Sequence, residues 1–318
     1  MAASHNTLAK KNLLTAQIKL IIAIILWGGS FIATKVVLRE LSAVSLVWSR
    51  FLVGILILGF LAWRQSELKI SSWKEAWKYL YLGFIGITFH QWLQSTGLET
   101  TEASTTAWIV SSTPVFMALL GWLLLRERIT RQSAAGILLA GMGVLLVISR
   151  GDFGALAGGN FGKPGDLLVS ISAPNWALFS VLSRPILKHH SALKVTFFVL
   201  FFGWLLTSIP FIASAGWQEY SQLSLNGWLG IAFLGVFCSA LAYVLYYDSL
   251  SQLPASQVGA FLYLEPLTAT VIAMLVLSEK ILLATLAGGG LILLGVWLVD
   301  HSSTLTATRK VKRSSARK

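Results

Sequence analysis

Ten apolar segments, each long enough to cross a bilayer, constrain this chain more than any other feature. They run over 17–38, 43–63, 77–98, 103–125, 133–149, 166–184, 194–214, 227–250, 255–277 and 282–300. A helix of about 20 residues spans the roughly 30 Å of hydrocarbon. Ten of them use about 200 of the 318 positions, so short loops and tails remain and no extramembrane domain fits. Composition agrees: 55% of residues are hydrophobic, 12% are charged, and the mean hydropathy is +0.72. A soluble domain carries about 25% charged residues. The expected class is therefore an all-α polytopic membrane protein. That composition excludes a soluble enzyme and a DNA-binding module, and with Cys238 as the single cysteine a disulfide scaffold is excluded too. The segments are continuously apolar, whereas barrel strands alternate.

The net charge of +12 does not point to nucleic acid. Six of the 25 basic residues, Arg309, Lys310, Lys312, Arg313, Arg317 and Lys318, form a tail beyond the last segment. Such a tail anchors on the anionic cytoplasmic leaflet. With the N-terminus cytoplasmic, 19 Lys and Arg fall inside and 5 outside. That asymmetry predicts both termini inside and an even number of spans. Lys35 and Arg39 run against the rule, and snorkelling at a helix end would accommodate them. The first segment contains no small-residue cleavage site and reads as a retained helix after a tail over 1–16.

An internal repeat refines the architecture. Moved by 152 positions, residues 103–147 lie on 255–299 without a gap, and 14 of 45 pairs are identical. The identities include Ala103/Ala255, Ser104/Ser256, Pro114/Pro266, Glu127/Glu279, Gly136/Gly288 and Gly143/Gly295. The same offset pairs Gly83 with Gly235, and an offset of 149 pairs Trp27 with Trp176. The chain thus reads as two five-helix units, 17–149 and 166–300, joined by a linker over 150–165 and followed by the basic tail over 301–318. Five is odd, so the second unit enters from the opposite side. Ten transmembrane helices in two inverted repeats, with both termini inside, is a transporter architecture whose site lies between the halves.

Several motifs carry a family resemblance: Leu26-Trp27-Gly28-Gly29-Ser30-Phe31, Ser49-Arg50-Phe51, Pro114-Val115 followed by Glu127, and Leu264-Glu265-Pro266 followed by Glu279. With them the chain resembles the EamA-type, ten-helix drug/metabolite transporter superfamily over about residues 17–300. The resemblance implies a central cavity enclosed by the first four helices of each repeat. It also implies that the fifth and tenth helices lie peripherally against each other. Solutes in this superfamily include amino acids, metabolites and drugs.

Candidate site residues follow from chemistry at membrane depth. Glu265 stands within an apolar segment, where a carboxylate costs about 2.5–3.5 kcal/mol and marks an ion or substrate pathway. It is a candidate for proton coupling, or else a structural group that caps freed backbone or pairs with Arg50. The Arg50 fork suits a substrate carboxylate or a helix carbonyl. His90 is the second proton-coupling candidate, and it shares a helix side with Gln91, Gln94 and Ser95. Across the repeat, Gln91, Gln94 and Ser95 fall on Tyr243, Tyr246 and Tyr247. Tyr243 and Tyr246, with Trp27, Trp108, Trp176 and Tyr263, would make an amphipathic cage or a packed core. Ser30 and Ser111 complete the expected lining. Pro114 and Pro266 are expected helix kinks. Glu127 and Glu279 are expected structural latches. Gly136, Gly141, Gly143, Gly288, Gly289, Gly290 and Gly295 are small-residue faces, open either to packing between the fifth and tenth helices or to a homodimer contact.

No HExxH, GxSxG or Walker motif is present, so neither catalysis nor nucleotide-driven pumping is expected of this chain, and no cofactor or metal. The expectation is a multi-pass secondary transporter of the cell inner membrane, working by alternating access. Its partners would be a small-molecule substrate and membrane lipids, with no nucleic acid. Export of small amphipathic metabolites such as amino acids, with or without protons, leads. A lipid-headgroup flippase or scaffold, and an intramembrane enzyme, are the alternatives.

Overall fold

A computed structural model describes residues 2–125, 130–152, 154, 162–253, 261, 262 and 264–298. Among these residues there are helices and turns and no strand. Helix α1, Ala2–Val37, begins well before the apolar segment, because no breaker separates Ala2 from the span over Leu14–Val37. The expected N-terminal tail is therefore the start of a helix. Helix α2, Ala43–Arg64, is capped by Ser42, whose hydroxyl accepts from Ser45 N. Helix α3 covers 73–100 and is interrupted by a π turn, Phe84–Phe89.

The segment expected as one helix over 103–125 is two. Helix α4, Ala103–Val110, stops at Ser111 and Ser112, and α5, Thr113–Leu125, starts beyond them. Pro114 takes the second position of α5, where its missing N–H costs nothing. The Ser111, Ser112 and Thr113 hydroxyls donate to the carbonyls of Trp108, Ile109 and Val110 at 2.6–2.7 Å. These bonds satisfy backbone that the break would otherwise leave bare in an apolar setting.

Helix α6 is Arg131–Ile148, α7 is Pro164–Leu187 and α8 is Ala192–Ala213. Helix α9, Leu225–Gln252, carries a second π turn at Leu234–Leu241. Helices α10, Leu264–Val276, and α11, Leu283–Leu298, follow. Pro266 lies in the first turn of α10, so it too starts a helix segment. Among the described residues, six helices are long and apolar enough to cross a membrane by length and composition: α2, α6, α7, α8, α9 and the apolar part of α1.

The helices pack through small residues. A Cβ on Gly143 in α6 would stand 2.5 Å from Gly288 O in α11, and one on Gly295 equally close to Gly136 O. The peripheral pairing of the fifth and tenth helices is thus present, while Gly141 and Gly290 meet nothing within 4 Å. Large apolar side chains such as Leu56, Leu138, Leu275 and Leu283 face outward, and Trp63, Trp73 and Trp77 are exposed at the ends of α2 and α3, where interfacial aromatics gather.

Candidate functional site

Helices α1, α2, α3, α4, α7 and α9 and the starts of α5 and α10 surround a cavity of about 630 Å³, counting the space at its mouth. Its wall contains nine of the expected residues: Trp27, Ser30, Arg50, His90, Gln91, Gln94, Trp176, Tyr243 and Glu265. Four pairs of lining residues are equivalent by the repeat offsets: Trp27/Trp176, Gln91/Tyr243, Val110/Leu262 and Thr113/Glu265. The cavity therefore lies where corresponding surfaces of the two sequence repeats meet.

Aromatic rings form one side. Trp27 stands edge-on to Trp176, with centroids 5.6 Å apart, and to Tyr243 at 5.3 Å. His90 packs on Trp176 at 4.8 Å. The Trp27 indole N–H donates to Cys238 O at 3.1 Å, which fixes the ring. A polar chain crosses the same region. Arg50 donates from Nε to Ser239 Oγ at 3.1 Å and from Nη1 to Gln91 Oε1 at 3.4 Å, and Gln91 donates to Tyr243 Oη at 3.2 Å. Arg50 is only 3% exposed. These bonds use two of its five N–H donors. No ion pair joins it to Glu265, so the structural pairing considered from sequence is absent. Glu265, itself buried, receives no hydrogen bond or ion pair from another side chain among the described residues. One cavity thus holds a guanidinium with donors to spare and a separate carboxylate.

Other candidates are placed elsewhere. Trp108 packs against Gly289 of α11, outside the cavity lining, and its buried indole N–H has no partner among the described residues. Ser111 serves the break after α4. Tyr246 lies one layer deeper, with its ring 4.9 Å from Trp27 and its hydroxyl bonded to Ser180 Oγ at 3.3 Å. Tyr247 bonds Ser183 in the same layer. Tyr263, Glu127 and the basic tail lie outside the described residues.

Glu279 latches across the repeats. Its carboxylate accepts from Ala103 N at 2.8 Å, Ser104 N at 3.1 Å and Ser104 Oγ at 2.6 Å, closing the N-terminus of α4. Ser278, at φ 54°, turns the chain into this position. Lys35 does not snorkel. Its ammonium donates to Leu98 O and Thr101 O at 2.7 and 2.5 Å, capping the carbonyl end of α3. Nearby, Glu102 is paired with Arg150 at 2.8 Å and with Lys163. Burial alone would raise the Glu102 carboxyl, but these two cations override it and hold it at about 2.

Thr113 and Thr34 also line the cavity and carry no mark in the sequence reading above. Thr113 was recoverable, because the 152-residue offset places it opposite Glu265. Ser239, the partner of Arg50, carried no comparable signal.

The EamA-like transporter family model matches residues 14–149 and again 163–299. An uncharacterized transporter of Archaeoglobus fulgidus is 28% identical over 281 residues, which cover 88% of this chain and 95% of that one. The uncharacterized transporter YetK of Bacillus subtilis is 26% identical over 275 residues, covering 85% and 82%. A solved crystal structure at 20% identity shares the fold, with a TM-score of 0.65 over 92% of this chain and 98% of the other.

Proposed function

This chain belongs to the EamA-like transporter family, and we propose that it is a secondary transporter that carries small amphipathic solutes, amino acids foremost, by alternating access. It is a membrane transporter with two copies of the family domain. The finer reading is ten spans as two inverted five-helix repeats, both termini cytoplasmic, in the cell inner membrane. The glycine contacts between α6 and α11 support the inversion. Gly143 meets Gly288 and Gly136 meets Gly295, and exchanging each residue for its repeat equivalent turns one contact into the other, as a two-fold relation requires.

The observation that carries the solute class is the separation of Arg50 from Glu265 in one cavity, beside the Trp27 and Trp176 rings. A carboxylate suits the Arg50 fork, an ammonium suits Glu265, and an apolar side chain suits the indoles. Glu265, which has no side-chain partner among the described residues, is also free to take a proton when no solute is bound, which would couple export to a proton gradient.

Glu265→Gln tests this reading in liposomes, because the amide keeps the shape and removes the titration. Gradient-driven amino-acid accumulation is expected to vanish while exchange persists. Retention of pH-driven accumulation by the Gln variant would refute the coupling role and move it to His90. Loss of both activities in a folded variant would make Glu265 a substrate contact only.

A further inference from the structure

Two π turns interrupt otherwise α-helical spans, and they occupy corresponding places. The 152-residue offset carries Phe84–Phe89 of α3 into the π turn Leu234–Leu241 of α9. A π turn holds one residue more than the helix needs and often marks a working site. Here each is gripped by the other repeat. Asn175 of α7 donates from Nδ2 to Ile85 O at 2.8 Å, inside the first turn. Trp27 of α1 donates to Cys238 O at 3.1 Å, inside the second. In α9 the π-type bonding ends with Ala242 N on Phe237 O, so the indole serves the next carbonyl along.

The packing around them is also exchanged between repeats. In α3, Gly83 abuts Gly203 of α8, and in α9, Gly235 abuts Val53 of α2, beside Gly54, for which a Cβ would stand 3.6 Å from Gly235 O. Gly54 and Gly203 are equivalent at an offset of 149, and Gly83 and Gly235 at 152. Cavity groups follow directly. His90 and Gln91 come immediately after the first π turn, Ser239, which holds the cavity residue Arg50, lies within the second, and Tyr243 lies just beyond it.

We propose that the paired π turns are the hinges of the transport cycle, and that Asn175 is a positioning residue holding α3 in the register that puts His90 and Gln91 in the cavity wall. The proposal rests on the alternating-access reading above. Shifting the extra residue along a helix re-registers each residue it passes by about 100°, one residue of an α-helix. His90 and Gln91 would turn out of the wall, and the Gln91 link to Arg50 and Tyr243 would part. The hydrogen bond from Asn175 to Ile85 O weights the balance between the two registers. Glycines on both sides leave room for the backbone to slide.

The test uses the full-length protein in right-side-out and inverted vesicles. Ser30→Cys supplies a reporter in the cavity wall, read by its rate of modification with a membrane-impermeant maleimide from each side; Cys238 is fully buried. Asn175→Leu is expected to change the ratio of the two rates about fivefold, the weight of one buried hydrogen bond. Deletion of Phe84, an outward-facing residue of the turn, should restore an α-helix and leave the reporter open to one side only. An unchanged ratio in both folded variants would overturn the hinge, as would failure of both to fold, because a contact that opens in the cycle cannot be obligatory for the fold. If the reporter reacts from one side only with no variant present, the alternating-access reading fails instead.

Discussion

Removing the Glu279 carboxylate should loosen the junction between the repeats by a predictable amount. The group closes the first turn of α4 with three hydrogen bonds, two of them from the backbone N–H groups of Ala103 and Ser104. Both residues are almost fully buried, so water does not replace what is lost. Loss of an N-terminal cap costs about 1 kcal/mol. Loss of a negative charge at the positive end of a helix costs about 0.3–1 kcal/mol, and two buried donors left unpaired add about 1–3 kcal/mol. Glu279→Ala should therefore destabilise the protein by about 2–5 kcal/mol. At about 2–4 °C per kcal/mol, Tm falls by roughly 5–20 °C. Thermal unfolding of detergent-purified protein, followed by the surviving size-exclusion peak, measures this. Ser104→Ala removes a single bond and should cost about 1 kcal/mol, and the double variant should cost less than the sum. A Glu279→Ala Tm within about 1 °C of the parent would refute the latch.

Three other outcomes are expected. Glu102 is held at about 2, below the ordinary 4.5, so its contribution to stability is present above pH 4.5 and lost as pH falls towards 2; Tm of the parent should drop more across that window than Tm of Glu102→Gln. Gly143→Val pushes a side chain into Gly288 O and should lower Tm, whereas Gly141→Val enters open space and should leave the packing of the protein unchanged; equal Tm values for the two would contradict the packing described. A reporter enzyme fused after Lys318 should be active in the cytoplasm, and activity confined to the outer side would contradict the ten-span topology.

Much of the architecture was legible in the sequence because membrane helices announce themselves by length and hydropathy. The repeat was legible because Pro114/Pro266, Glu127/Glu279 and the glycines kept one register. That register also pointed to the cavity, since the pairs Trp27/Trp176 and Gln91/Tyr243 both line it. The interruptions within helices were not foreseen in detail. A π turn adds one residue to a continuously apolar run, and in Phe84–Phe89 every residue except Gly86 and Thr88 is apolar, so no periodicity is visibly broken. The break at Ser111 and Ser112 stands close to where the sequence predicts a kink at Pro114. The serines ahead of Pro114 matter more, because their hydroxyls make a break affordable in lipid. Trp108 and Tyr246 were grouped with the cavity by residue type, and their side chains instead serve packing outside its lining. Side-chain direction on a helix surrounded by protein is set by neighbours that local sequence does not name.

Solute counterflow tests the central claim most directly. Purified protein in liposomes preloaded with an unlabelled neutral amino acid should draw in the labelled form transiently, with no energy source, and Ser30→Trp, which fills the cavity between the repeats, should abolish that uptake without unfolding the protein. Counterflow that persists in the folded Ser30→Trp variant, or uptake of sugars or cationic drugs with none of amino acids, would contradict the account.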